Sequence, residues 1–136
     1  MPNCIFCKIA RGEIPSEKIY EDRHTFAFLD ISPNNHGHTL VVPKEHYRNI
    51  LDIPPGAYSR VAETVRRVAG AVHKGMQAGG LNIAMNNEPC AGQIVFHAHM
   101  HIIPRHEQDG LKVWHRKRPY KDGEMEAVGE LIRRHL

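Results

Sequence analysis

The sequence predicts an α+β domain in which helices pack on one face of an antiparallel sheet. Short β-branched runs such as 39–43 predict strands, and a long apolar stripe within 56–78 predicts a helix. The two kinds of element are mixed along the chain without strict alternation. All 136 residues fit a single domain, 1–136, which can bury roughly two-thirds of its unfolded surface.

The composition is typical of a soluble globular protein, with 41% apolar and 24% charged residues. No apolar run approaches the roughly 20 residues of a membrane-spanning helix. The first fifteen residues lack a leading positive cluster, and Cys7 and Lys8 interrupt their apolar stretch, so they do not resemble a secretory signal. Three cysteines, an odd number, argue against a disulfide framework. We therefore expect a protein of the reducing cytoplasm, with no membrane partner.

The first half of the chain predicts three strands. Residues 17–21 and 25–30 form a short strand pair around the turn "EDRH". The run "SPNNHGH" has the composition of a turn. Residues 39–43, "TLVVP", form the third strand, which Pro43 ends.

Residues 56–78 form the clearest predicted helix. The helix starts beside Pro54 and Pro55, and Gly79 and Gly80 terminate it. Its apolar stripe has spacings of three and four residues and consists of Ala57, Val61, Val65, Val68, Val72 and Met76.

The second half of the chain predicts two strands and a last helix. Residues 81–85 and 94–103 are the strands, 86–93 is a turn-rich loop between them, and Pro104 stops the second strand. The helix covers 123–136 and places on one side Met125, Val128, Leu131, Ile132 and Leu136.

Three alternating histidines, His97, His99 and His101, are the most specific feature of the chain. Because a strand has period two, they project to one face, and the residues between them face the core. Chance polarity, a metal site and phosphate chemistry could each explain the pattern. No acidic residue lies within five positions, and the small-residue loop 90–93 offers backbone N–H groups to phosphate oxygens. These observations favour phosphate chemistry.

Several motifs together resemble the histidine triad (HIT) family, in its bacterial Hint-like branch. They are "HAHMHII" at 97–103, "CIFCKI" at 4–9, "AFLDISP" at 27–33, "GHTLVVPKEH" at 37–46 and "AGQ" at 91–93. The resemblance covers nearly the whole chain. It implies the HIT-like fold, with one long central helix and a C-terminal helix.

The resemblance implies an enzyme that cleaves at the α-phosphate of nucleoside phosphoramidates or dinucleoside polyphosphates. His99 would be the nucleophile and form a covalent nucleotidyl-imidazole. The main-chain carbonyl of His97 would fix the tautomer of His99, His101 would donate to a phosphate oxygen, and His38 would support the cluster. A neutral imidazole at pH 7 suits such a nucleophile.

The resemblance also implies the nucleotide contacts. Asp30 and Ile31 match positions that hold the ribose hydroxyls and the base. Asn86, Gly92 and Gln93 match the loop beside the phosphates. At Ile94 many relatives carry Ser or Thr, so this chain keeps the main-chain N–H and lacks the hydroxyl. A nucleotide-binding regulatory protein with little turnover is therefore the alternative function.

Cys4 and Cys7 form a C-x-x-C pair near the N-terminus. A redox motif, a zinc half-site and two idle thiols are the alternatives. The resemblance implies a structural zinc held by Cys4, Cys7, His46 and His97, which would tie the N-terminal turn to the histidine strand.

The basic run 112–121 holds Trp114 and Tyr120. It could be a solvated loop, a phosphate-facing loop or a nucleic-acid contact, although nucleic acid is not the partner we expect. The resemblance implies a purine nucleotide ligand that contains adenosine, and a homodimer whose C-terminal segment approaches the partner's site. Trp114 is then expected near the dimer interface or the base pocket.

Overall fold

The computed structural model describes residues 3–136, so the first two residues of the predicted domain lie outside the described residues. Its strands are β1 (Lys18–Glu21), β2 (Thr25–Leu29), β3 (Thr39–Pro43), β4 (Gly80–Ala84) and β5 (Met100–Arg105). Its helices are α1 (Ile5–Ala10), α2 (Pro55–Gly75) and α3 (Glu124–Arg133), with a 3₁₀ turn at Pro89–Ala91. The strands form one antiparallel sheet in the order β1-β2-β3-β5-β4. The predicted α+β class, with a long central helix and a C-terminal helix, is confirmed.

Helix α2 packs on one face of the sheet through the predicted stripe. Val61, Val65, Val68 and Val72 are buried against sheet residues that include Val41 and Ile102. The helix ends at Gly75, three residues before the prediction. Gln77 adopts a left-handed backbone with φ of +50°, which ends the helical path and directs the chain into β4.

Helix α1 packs on the opposite face, which corrects the expectation of helices on one face only. Its Phe6 and Ile9 lie in a second apolar cluster formed with Phe26, Phe28, Leu40 and Val42. All five residues of β3 and four of the five residues of β2 are buried. Strands covered on both sides need apolar residues at successive positions, and "TFAFL" and "TLVVP" provide them.

The predicted strand 94–103 is wrong in its first half, because β5 begins only at Met100. The segment before it is drawn away from the sheet: the Ala98 N–H donates to the Tyr47 carbonyl at 2.7 Å. Pro104 lies inside β5 and pairs with Leu81, whereas pairing with β3 stops at Ile102. A proline is tolerated there because one side of the strand has no ladder.

Helix α3 follows an extended segment and is shorter than predicted. None of its residues is buried, and its apolar positions are exposed, among them Met125, Leu131 and Ile132. The expected packing of this helix on the sheet is therefore not found within the chain. In the described part of the protein, no helix is both long and apolar enough to cross a membrane.

Candidate active site and metal centre

The pairing of β3 with β5 brings four histidines together. Leu40 lies opposite His101, so His38, just before β3, reaches His101 across the sheet. His99 lies just before β5, and its ring centroid is 4.9 Å from that of His101. His97 is fully buried and His99 is 7% exposed. The three triad histidines therefore share a side of the sheet, as predicted, and α1 packs on this side and shields His97 and His99, whereas His101 is only half-buried.

The tautomer of His99 is fixed by a single short hydrogen bond. Its Nδ1 lies 2.6 Å from the main-chain carbonyl oxygen of His97. A carbonyl can only accept, so Nδ1 carries the proton and Nε2 of the neutral ring keeps its lone pair. Burial lowers the pKa of His99, while the His97 carbonyl and the Asp30 carboxylate partly offset this. The neutral, nucleophilic form therefore prevails at pH 7.

His38 and His101 form a chain of hydrogen bonds in which one donor, the Nε2–H of His101, remains unpaired. The Asn34 N–H donates to His38 Nδ1 at 3.1 Å, so the neutral His38 ring carries its proton on Nε2. That Nε2–H donates to His101 Nδ1 at 2.9 Å, which leaves the His101 proton on Nε2. Among the described residues, this His101 Nε2 is the one buried side-chain polar atom without a hydrogen-bond partner. An unpaired buried donor is costly, and a ligand oxygen would satisfy it.

Burial dominates the electrostatics of this cluster. Burial, with smaller contributions from the neighbouring His99 and His38, lowers the pKa of His101 to about 4. It also lowers the pKa of His38, an effect that the Asp30 carboxylate opposes. The rings are therefore neutral at pH 7, so His101 offers a donor without introducing a fixed positive charge.

Asp30 lies at the edge of the cluster, and Ile31 lies on the surface. One carboxylate oxygen of Asp30 accepts the Ser32 N–H at 2.8 Å, and the other lies 3.8 Å from His38 Nε2. The main chain of Asp30 is fixed by its N–H, which donates to the His38 carbonyl at 2.9 Å. Ile31 is 95% exposed. Asp30 thus lies beside the histidines, and the residue after it presents an apolar side chain to solvent.

The loop before the triad places two of its four predicted residues side by side. Gly92 has φ of +94°, which favours glycine, and a Cβ there would lie 3.5 Å from the Asn86 amide nitrogen. Ile94 is 86% exposed. Asn86 and Gly92 therefore form one surface, and the Ile94 side chain projects into solvent.

Gln93 has a different position from its neighbours, because its side chain is buried and fully bonded. Its amide nitrogen donates to the carbonyls of Arg48 and Val95, and its amide oxygen accepts from Asn49 Nδ2 and the Glu88 N–H. No hydrogen-bonding capacity of the amide is left for a ligand. Gln93 therefore holds the loop in shape.

Four side chains from three parts of the chain meet at the predicted metal centre. The Sγ atoms of Cys4 and Cys7 and the Nδ1 atoms of His46 and His97 all lie within 4.8 Å of one another. His97 Nε2–H donates to the Pro43 carbonyl at 2.7 Å, so its Nδ1 lone pair faces the thiols. Burial also lowers the pKa of His97 to about 4, which keeps the ring neutral and able to bind a metal.

The spacing of these atoms fits a tetrahedral zinc site. His97 Nδ1 lies 3.4 Å from Cys4 Sγ, 3.5 Å from Cys7 Sγ and 3.2 Å from His46 Nδ1. Ligand atoms at usual zinc bond lengths around a tetrahedral centre lie about 3.3 to 3.8 Å apart. Burial raises the pKa of the Cys7 thiol, and a bound cation would stabilise its thiolate. The chain therefore contains a possible Cys₂His₂ metal site.

A second group, Asp30, His38 and His101, also has donor atoms within 4.8 Å. Here the facing nitrogens of His38 and His101 are already joined by a hydrogen bond. We therefore interpret this group as a hydrogen-bonded array and not as a metal site.

Sequence reasoning did not single out Asn34 or Phe6, although both shape the site. Asn34 contributes its main-chain N–H, which every residue except proline has, so the residue type does not reveal this role. Phe6 packs edge-on against His99, with ring centroids 5.1 Å apart, and covers the histidine face. Its position between the two cysteines was the available signal, because a zinc site there would bring Phe6 onto the histidine strand.

The C-terminal segment does not reach the site within one chain. Residues 111–121 have no regular structure and are exposed or half-buried. Trp114 is 83% exposed, so in the isolated chain it contributes neither to the core nor to the histidine cluster.

Comparison with known proteins gives one family. The HIT domain matches residues 11–108. The chain is 39% identical to the adenylylsulfatase HINT3 of Arabidopsis thaliana, over 98% of this chain and 70% of that protein.

Solved structures agree with this family. A HIT family protein from Bacillus subtilis superposes with a TM-score of 0.92 and 42% identity, covering 98% of this chain and 97% of that one. A zinc-bound histidine triad family protein from Mycobacterium smegmatis gives a TM-score of 0.77 and 37% identity, with 97% of each chain covered.

Proposed function

Since the chain belongs to the HIT family, we propose that it is a nucleotide hydrolase or transferase with a covalent nucleotidyl-His99 intermediate. Its substrates would be nucleoside phosphoramidates or dinucleoside polyphosphates, with adenosine as the expected nucleoside. The observation that carries the proposal is the 2.6 Å hydrogen bond from His99 Nδ1 to the His97 carbonyl. It leaves Nε2 with a lone pair in a neutral ring, which is what nucleophilic catalysis requires.

In the first step His99 Nε2 attacks the α-phosphorus of the bound nucleotide. A bond forms between Nε2 and phosphorus, and the bond from phosphorus to the leaving group breaks with its electron pair; a leaving amine takes up a proton from solvent, whereas a leaving phosphate departs as the anion. In the second step water attacks the same phosphorus and releases a proton to solvent, the electron pair of the bond to phosphorus returns to Nε2, and the nucleoside monophosphate leaves. The Nδ1–H bond to the His97 carbonyl stabilises the positive charge that develops on the ring.

His101 would stabilise the phosphate during both steps. Its Nε2–H is the unpaired buried donor of the site, and an oxygen of the α-phosphate is a suitable acceptor. A donor already in place costs little reorganisation as charge develops on the phosphate. His38 acts as a positioning residue, because its Nε2–H holds His101 in the required tautomer.

The nucleotide contacts follow from the positions around the histidines. The Asp30 carboxylate can accept both ribose hydroxyls, and the exposed Ile31 offers an apolar surface to the base. Asn86 and Gly92 lie on the loop that would flank the phosphates, which Gln93 supports from within. The Arabidopsis relative's name, an adenylylsulfatase, implies sulfate as a further candidate leaving group.

We also propose that the Cys₂His₂ site holds a structural zinc through Cys4, Cys7, His46 and His97. When bound, the ion would supply a cross-link between the start of α1 and the segment that carries His97. The distances between the four ligand atoms support this, and so does the zinc-bound relative from Mycobacterium smegmatis.

The experiment that tests the catalytic proposal measures intact-protein mass after an acid-free quench with an adenosine phosphoramidate. We expect a transient added nucleotide in the wild type, no adduct in His99→Ala, and a loss of turnover of about a thousandfold or more. The control is His106→Ala, which removes an exposed histidine just after β5 and should behave as the wild type.

Turnover without an adduct, undiminished in His99→Ala, would contradict the nucleophile. If phosphoramidates and dinucleoside polyphosphates both fail while adenosine monophosphate binds, the alternative becomes the better one. The chain would then be a nucleotide-binding regulatory protein with little turnover.

A further inference from the structure

A cavity of about 390 Å³ lies where β2 begins and β3 ends, beside the start of α2. No residue of the proposed active site or of the zinc site lines it. Its volume falls within the usual range for small-molecule pockets, about 300 to 1,000 Å³. The cavity is therefore a separate place where a small ligand could bind.

The charges around this cavity are predominantly positive. Arg23, Lys44 and Arg60 line it together with one acidic residue, Glu45, a net charge of +2 when His24 is neutral. The whole chain has a formal net charge of only +3. The cavity therefore holds a concentration of positive charge that composition alone does not reveal.

The two arginines are not neutralised by the protein. Lys44 pairs with Glu21 at 2.7 Å, but none of the ion pairs found in residues 3–136 involves Arg23 or Arg60. Glu45 lies beside the hydroxyl of Tyr47 in the same lining, and this proximity raises the pKa of that tyrosine. Two guanidinium groups are thus available to a ligand.

The main chain at the start of α2 adds donors on the same side. The N-cap, Pro54, makes no side-chain hydrogen bond to the first turn, and that turn has no acidic residue. The N–H groups of Gly56 and Ala57 therefore lack an intrahelical partner. A side chain at Gly56 would meet nothing within 4 Å, so a ligand can approach the backbone there.

We propose that this cavity binds the phosphate monoester group of a small organic molecule. A monoester carries up to two negative charges, which the two guanidinium groups without an ion-pair partner can balance, and guanidinium groups bind phosphate oxygens in a bidentate manner. A nucleic-acid strand fits less well, because each of its phosphodiesters carries one charge and the strand needs an extended basic track. The site does not depend on the proposed function of the histidine cluster.

The lining is bonded directly to the segment that carries the triad. The carbonyl of Pro43 accepts from His97 Nε2, and the carbonyl of Tyr47 accepts the Ala98 N–H, each at 2.7 Å. Binding in the cavity should therefore perturb the amide of Ala98 as well as those of Gly56 and Ala57.

The test is an NMR titration of the zinc-loaded, ¹⁵N-labelled full chain with phenyl phosphate at constant ionic strength. Benzenesulfonate, which carries one charge, is the matched anion. We expect saturable shifts at Gly56, Ala57 and Ala98 with phenyl phosphate, and much weaker ones with the sulfonate. The amides of Gly92 and Gln93 report separately on phosphate binding at the histidine site.

Arg60→Gln and Arg23→Gln should each weaken the binding that Gly56 reports by about tenfold. Arg66→Gln is the matched control, because Arg66 lies on the same helix, is exposed and pairs with Glu63; it should change affinity less than about twofold. The proposal is overturned if Gly56 and Ala57 do not shift, if their shifts do not saturate, or if Arg66→Gln weakens binding as much as Arg60→Gln.

Discussion

The rings of His97, His99 and His101 are chemically identical, and their partner atoms give them three different properties. His97 donates through Nε2 and presents Nδ1 to the thiols, whereas His99 donates through Nδ1 and leaves Nε2 free. His101 accepts at Nδ1 and keeps an unpaired donor at Nε2. At the scale of the residue, the tautomer decides whether an imidazole is a ligand, a nucleophile or a donor.

Ile94 should limit the turnover of the enzyme. The variant Ile94→Ser adds a hydroxyl on the loop beside the expected phosphate, and a new donor in the transition state should raise kcat by about tenfold. Because Ile94 is 86% exposed, the free energy of unfolding should change by less than about 0.5 kcal/mol. Steady-state kinetics with an adenosine phosphoramidate measure the effect. An equal increase in kcat in Ile94→Ala would show that the bulk of the isoleucine side chain, and not the missing hydroxyl, limits turnover.

The stability of the protein should fall as pH drops below the ordinary pKa of histidine. Burial lowers the pKa of His101 to about 4 in the folded state, whereas the unfolded ring titrates near 6.5. Between these values the unfolded state binds a proton that the folded state does not, so the free energy of unfolding decreases as pH decreases through this window.

The variant His101→Gln should therefore show a shallower loss of stability than the wild type between about pH 6.5 and about pH 4. Urea unfolding at several pH values measures this, with His106→Gln as an exposed control. An unchanged pH slope in His101→Gln would mean that His101 is not the group responsible.

At the scale of the element, helix α1 is too short to be stable by itself. It has six residues, and isolated helices shorter than about 12 residues are marginal in water. Phe6 and Ile9 hold it against the sheet, and the proposed zinc would fix its start. Its stability should therefore depend on the metal.

Removing the zinc should lower the Tm by roughly 10 °C, because a tightly bound ion stabilises only the folded state. Cys7→Ser should lose the metal and show the same drop in Tm. Cys90→Ser, which changes an exposed thiol outside the site, should keep the metal and the Tm of the wild type. Metal analysis and thermal unfolding together provide the check. Full zinc content in Cys7→Ser would rule out the proposed ligand set.

The helices α2 and α3 should respond differently to the same substitution. Val68 on the buried face of α2 is 2% exposed, so Val68→Ala should cost about 2 kcal/mol of unfolding free energy by leaving a cavity. Val128 on α3 is 36% exposed within the single chain, so Val128→Ala should cost the monomer less than about 0.5 kcal/mol. Denaturant unfolding of both variants at concentrations where the chain is monomeric tests this. A large cost at Val128 in the monomer would contradict the exposure of α3 within the chain.

At the scale of the whole molecule, the surface of α3 is left without a partner in the chain. Leu131 is 56% exposed and Ile132 60% exposed, and Trp114 precedes them on the extended segment. Contiguous exposed apolar surface commonly marks an interface. This observation supports the homodimer that the family resemblance implies.

We expect light scattering to give about twice the chain mass of 15.5 kDa at micromolar concentration. Leu131→Ser and Trp114→Ala should each weaken the dimer by about tenfold or more. Glu130→Ser, which changes the adjacent, charged position on α3, should not. A wild type of monomeric mass would contradict the homodimer, and unchanged dimerisation and kinetics in Trp114→Ala would remove any role for that residue.

The antiparallel α+β architecture, the stripe of α2 and the types of residue at the site could all be predicted from the sequence alone. Such features follow from periodicity and local turn chemistry, which act over a few neighbouring residues. The start of β5, the second covered face and the exposed α3 were not predictable in this way. Ala98 leaves the sheet because of Tyr47, and α1 covers a face whose strands lie elsewhere in the chain.

Which ring nitrogen of each histidine is free depends on contacts between residues that are distant in sequence. His97 bonds to Pro43, which is 54 positions away in the sequence, and to Cys4, which is 93 positions away. The hydrogen bond between His38 and His101 joins residues that are 63 positions apart. No local pattern encodes such contacts, because they exist only after β3, β5 and α1 have packed together. The sequence therefore specifies which chemical groups are present, and packing determines which hydrogen-bond partner each histidine has and which of its nitrogens carries the proton.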